Sequence, residues 1–201
     1  MTLPWRSPAI CAGLGAALLG LLVLPQVRHA LEASMALHML AQYPALMLAG
    51  AVLGAAMPKR LGRWLWAWNS LGLGGLAACA LFLAVLMIPR LLDLALVEPR
   101  VECAKFAALL LAGAVLVPSW RAAGRVVQAF FLGNLLPMTV IAGTLYRDAP
   151  VRLCNAYRLD DQQQLGTALV WLAAVAACAW LLQVALQLSR PGMRSPSATH
   201  P

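Results

Sequence analysis

Residues 35–54, MALHMLAQYPALMLAGAVLG, decide how the chain is read. The stretch has no formal charge, yet it holds His38, the only histidine embedded in a long apolar run. At 100° per residue, Met35, His38, Met39 and Gln42 fall within one arc of roughly 100° on a helix. A helix of this length and polarity can cross a hydrocarbon core of ~30 Å. An ionisable group inside such a helix is a functional candidate by default. Imidazole beside thioethers suits copper, Cu(I) above all, because soft ligands select it. The plainer alternative is that the methionines fill gaps and the histidine hydrogen-bonds a neighbouring helix.

The rest of the chain has the same character. Of its 201 residues 62% are hydrophobic and 11% charged, against about 25% charged in a soluble domain. The expectation is an all-α, polytopic membrane helical bundle of about six transmembrane helices. The spans fall at about 8–25, 35–57, 65–88, 104–118, 126–146 and 165–188, followed by a disordered tail over 190–201. Residues 26–34 read as a loop and 89–103 as a surface segment. The fourth span needs Lys105 to snorkel to the interface. Trp64, Trp66 and Trp68 form an interfacial belt at the start of the third. Asn134 and Pro137 interrupt the fifth, and Gly50 and Gly54 form a GxxxG at which another helix can approach closely.

Charge supports the six-span count. One side collects Arg6, Lys59, Arg60, Arg63, Arg121, Arg125, Arg190 and Arg194 and no acid. The other takes seven bases and all seven acids, Glu32, Asp93, Glu98, Glu102, Asp148, Asp160 and Asp161. The counts of Lys and Arg barely differ, so the segregation of acids carries the topology, and both termini are placed in the cytoplasm. The net charge of +8 sits in short clusters between apolar runs, a pattern of topology and not of a nucleic-acid stripe.

The candidate metal ligands are His38, Met35, Met39, Met87, Met138 and Asp161. Met87 and Met138 belong here because the topology puts them at a depth comparable to His38. The carboxylates of Asp160 and Asp161 can receive a metal, cap the sixth helix or pair with Arg147, Arg152 or Arg158. His29 reads as a solvated loop histidine. Cys103 and Cys154 share the acidic side, where a disulfide, a soft ligand and independent thiols are all open. No Walker loop, GxSxG, HExxH or paired catalytic carboxylates appear within the spans, so an enzyme is not expected.

The order of several pieces resembles the multi-spanning CtaG-type cytochrome c oxidase assembly factors. These are LHMLAQYPALMLAG, IPRLLDLAL (88–96), KFAALLLAGAVLVPSW (105–120), NLLPMTVIAGTLY (134–146) and LDDQQQLGTALVW (159–171). The resemblance covers most of residues 35–172. It implies a protein of the bacterial cytoplasmic membrane that assists copper-dependent maturation of a haem–copper oxidase, with oxidase subunits and membrane lipid as partners. It also implies histidines in the second and third pieces, where this chain has Met87-Ile88-Pro89 and Glu102, Cys103 and Lys105. Either methionine or cysteine has partly replaced histidine around a copper ion, or the scaffold persists without the metal. A non-metal scaffold or accessory subunit is thus the alternative to a copper-handling factor. A transporter, with Pro44 and Asn134–Pro137 lining a path, comes third.

Overall fold

The computed structural model describes residues 7–58, 67 and 69–189. Among them are eight helices and no strand: α1 Pro8–Val23, α2 Pro25–Glu32, α3 Met35–Ala55, α4 Leu73–Leu86, α5 Pro89–Val97, α6 Pro99–Ala122, α7 Arg125–Asp148 and α8 Leu159–Leu188. The Trp64, Trp66 and Trp68 belt, the bases Lys59, Arg60 and Arg63, and the tail expected to be disordered lie outside the described residues.

Proline sets most of the boundaries. A residue before proline is pushed out of the helical region. Leu24 before Pro25 (ψ 128°) and Ile88 before Pro89 (ψ 122°) are accordingly extended. The helices bend by 68° between α1 and α2 and by 77° between α4 and α5. Glu98 before Pro99 likewise separates α5 from α6. Ser7 caps α1 by accepting from the Ile10 amide at 3.3 Å, and Ser34 caps α3 by accepting from Leu37 at 3.2 Å.

Four helices, α3, α6, α7 and α8, are each long and apolar enough to cross a membrane, and the count reaches six if each bent pair is one span. At ~1.5 Å per residue, the 16 residues of α1 and the 14 of α4 fall short of ~30 Å, so each depends on its bent partner. The helix limits differ from the expected segments at several points. Residues 26–34 are mostly the helix α2 and not a loop. Among the described residues the helix of the third span begins at Leu73, after Gly72 turns the chain with φ +72°; the expected start at 65 lies outside the described residues. The helix that holds the fourth span, Pro99–Ala122, extends beyond the expected 104–118 at both ends. The fifth is unbroken: the Asn134 amide donates to the Phe130 carbonyl at 2.7 Å and Thr139 to Leu135 at 2.8 Å, keeping polar groups near Pro137 satisfied within the helix. The sixth begins at Leu159, six residues earlier than the expected 165.

The closest pairs are α7 with α8, α3 with α6, α1 with α3 and α4 with α6; α8 also touches the start of α3. The expected Gly50 and Gly54 approach is realised against α6. A Cβ at Gly50 would overlap the Leu110 carbonyl, and one at Gly113 would overlap the Met47 carbonyl. Gly143 and Gly166 form a second close crossing between α7 and α8. Leu14, Leu21, Phe130, Ile141, Trp171, Val175, Leu182 and Leu186 are exposed, an apolar exterior that fits lipid contact. The main core gathers at one end of the bundle around Met35, Met39, Tyr43, Leu92, Leu109, Tyr146, Cys154 and Leu165.

Candidate functional site

Within α3 the turns over His38–Gln42 widen into a π-helix. Pro44 accounts for this: it has no N–H for the Leu40 carbonyl, and its ring presses on that carbonyl. A wider turn relieves the crowding, and such turns recur at functional sites. The segment buries His38, Met39 and Gln42 together, with Met35 one turn earlier.

Lys105, on the first turns of α6, reaches into this segment. The sequence expectation that it snorkels to the interface is corrected: its side chain is 0% exposed. The ammonium lies 3.0 Å from Glu32 Oε1, 3.1 Å from His38 Nε2 and 3.1 Å from Gln42 Oε1. An ammonium has three protons and accepts nothing, so His38 Nε2 is the acceptor and Nδ1 carries the ring proton. Nδ1–H then donates to the Tyr157 hydroxyl at 2.6 Å. Gln42 Nε2 donates to Glu32 Oε1 at 3.2 Å. Farther out, Arg28 pairs with Glu102 at 2.9 Å. Two cations and two carboxylates balance, as burial of charge requires.

Other polar groups at this end join the segments that the sequence assigns to one side. The hydroxyls of Tyr43 and Tyr146 donate to the Leu86 and Met87 carbonyls, at 3.2 and 2.6 Å, satisfying acceptors left over at the end of α4. Asp93 accepts from the Asn155 and Ala156 amides at 2.8 and 3.2 Å. Gln162, 1% exposed, accepts from the Leu153 amide at 2.7 Å and donates to the Tyr146 carbonyl at 3.0 Å. Segments 26–34, 89–103 and 147–158 are thereby drawn together.

The candidate ligands divide. Met35, His38 and Met39 are buried side by side, and Met87 packs against the same core. Met138 is exposed on α7. Asp161 stands in the first turn of α8 beside Asp160 and makes no side-chain cap; its neighbour Gln162 is the residue that points inward. His29 is exposed on α2. The sequence does not bring Glu32, Lys105, Tyr157 and Gln162 into one site. Their sequence trace is faint: a lysine inside an apolar helix, and Gln42 on the arc of His38.

Copper finds a poor fit at His38 in this arrangement. Both ring nitrogens are engaged, one by a cationic donor and one by a phenol, so a metal would have to displace Lys105 or Tyr157 to reach the ring.

Cys103 is exposed, Cys154 is buried, and both are free thiols. Burial, reinforced by Asp93, pushes the Cys154 thiol up to about 12. That is above the ordinary thiol value of 9.0, so the neutral thiol contributes fully below pH ~9 and its contribution is lost as pH rises through about 12. With Cys11, Cys79 and Cys178 replaced by serine, a maleimide at neutral pH is expected to label Cys103 in the folded protein and to reach Cys154 only after denaturation, with Cys103→Ser identifying the first band. Rapid labelling of folded Cys154 would contradict its burial.

Comparison with protein-family models, with curated proteins and with solved structures gives no match in any of the three.

Proposed function

We propose that the chain is a membrane assembly factor for a haem–copper terminal oxidase, seated in the bacterial cytoplasmic membrane with both termini inside. It engages its client through helix faces, and His38 serves the scaffold. One observation carries this reading: the separate pieces of sequence that resemble CtaG-type factors meet at one end of the bundle. LHMLAQ supplies His38 and Gln42, the 105–120 piece Lys105, the 134–146 piece Tyr146, and the 159–171 piece Gln162. In a strain lacking the protein, oxidase subunits should accumulate without their copper centre, and the tagged protein should co-purify with an oxidase subunit. A fully metallated, active oxidase in that strain would overturn the proposal. An impermeant maleimide on spheroplasts should reach Cys103, which this orientation places outside.

A second reading, a copper-handling factor, is favoured by the burial of Met35, His38 and Met39 in one segment. It requires stoichiometric Cu(I) to stay on the purified wild type and to be lost in His38→Ala. Oxidase co-purification indifferent to His38→Ala supports the scaffold reading.

A further inference from the structure

Three acceptors on two helices converge on a single point. Glu32 Oε1 comes from α2, His38 Nε2 and Gln42 Oε1 from α3, and each is 3.0 or 3.1 Å from the Lys105 nitrogen. His38, Gln42 and Lys105 are fully buried, and the Glu32 side chain is 9% exposed. A carboxylate, an imidazole nitrogen and an amide oxygen around one centre form a donor set for a borderline divalent ion. The π-turn supplies the convergence, because His38 and Gln42 begin and end it. The lysine enters from the third helix, α6, with its ammonium 5.3 Å from the centre of the Phe106 ring. Its compact point charge holds the centre of the donor set.

We propose that the Lys105 ammonium is the built-in cation of a cage formed by Glu32, His38 and Gln42, and that removing it turns the cage into a divalent-metal site. Metal–ligand bonds to nitrogen and oxygen are ~2.0–2.2 Å, so the acceptors need to close by about 1 Å. Truncation of the lysine stem makes room for that closure and for a water as a fourth ligand. The inference concerns the interior of the chain and does not depend on which client the protein serves.

Cobalt(II) is the probe, since its ligand-field absorption reports coordination directly. Purified wild type in detergent should take up no cobalt at this site. Lys105→Ala should bind one equivalent with visible ligand-field bands, and its thermal midpoint should rise with cobalt while that of the wild type does not. Lys105→Ala combined with His38→Ala should lose the bands. Should Lys105→Ala not accumulate as folded protein, Lys105→His, which keeps a polar group in the cage, carries the same test. A folded Lys105 variant that takes up no cobalt overturns the proposal. So does stoichiometric cobalt or Cu(I) held through His38 by the wild type, a result that leaves the oxidase-assembly role standing.

Discussion

Lys105→Met is expected to lower the stability of the detergent-solubilised protein by about 3–5 kcal/mol, the range for removing one partner of a buried ion pair. Methionine fills much the same volume, so lost packing is a minor part of that cost. The loss comes from the groups left behind. The Glu32 carboxylate keeps only the Gln42 amide among its buried hydrogen bonds, and His38 Nε2 and Gln42 Oε1 lose their donor. Partial relief is available to His38, whose proton can move to Nε2 while the Tyr157 hydroxyl donates to Nδ1. Glu32 keeps one cation, Arg28, whose Nε lies 3.7 Å from its other oxygen and does not replace the 3.0 Å contact to the lysine. Glu32→Gln alone should also be costly, since it leaves an ammonium buried without its carboxylate. The double variant should recover most of what either single variant loses, because replacing both partners of a buried pair is often close to neutral. Unfolding by sodium dodecyl sulfate in mixed micelles measures the four proteins on one scale. Simple additivity of the two single losses would show that the two charges do not interact.

The contrast between that cluster and the rest of the fold shows what the sequence displays and what it hides. Helical class and the long spans are legible because apolar length is a local property of consecutive residues. The glycines of the α3–α6 contact are legible by spacing for Gly50 and Gly54, and invisible for Gly113, whose partner is a backbone carbonyl 66 positions away at Met47. The two proline breaks coincide with expected span ends, at 25 and 88, and one reading beside them is overturned for an identifiable reason. Leu24-Pro25 and Ile88-Pro89 bend the chain and helix resumes at once beyond each, so the amphipathic residues of α2 read as a loop in the sequence. His38 was conspicuous because a lone imidazole in an apolar run is unusual. Its partners were not, because Lys105 in an apolar run normally snorkels, and only the meeting of α2, α3 and α6 supplies three acceptors to keep it inside. The same meeting changes what His38 is: the sequence presents it with open ring nitrogens, whereas the fold uses both.

Gly113→Leu is the second substitution with a large expected effect, because it acts on backbone and not on a side chain that can turn away. A Cβ at this position would overlap the Met47 carbonyl, and Gly50 across the contact faces the Leu110 carbonyl equally closely. Helix pairs in membranes associate through such close packing, with little hydrophobic drive between them. No rotamer of leucine avoids the first carbon, so α3 and α6 must separate along this contact. Overpacking a well-filled interior costs ~1–3 kcal/mol and occasionally more, and backbone contact on both sides places this case at the upper end or beyond. The separation also moves α6 relative to α3, carrying Lys105 away from His38 and Gln42, so the polar cluster weakens along with the apolar contact. Gly13→Leu and Gly133→Leu provide the controls: no atom outside the local helix lies within 4 Å of a Cβ at either position, and both should keep their stability within about 0.5 kcal/mol of the wild type. Thermal midpoints of the three variants in the same detergent decide the matter. Gly113→Leu melting with the controls would mean that α3 and α6 do not meet at this contact.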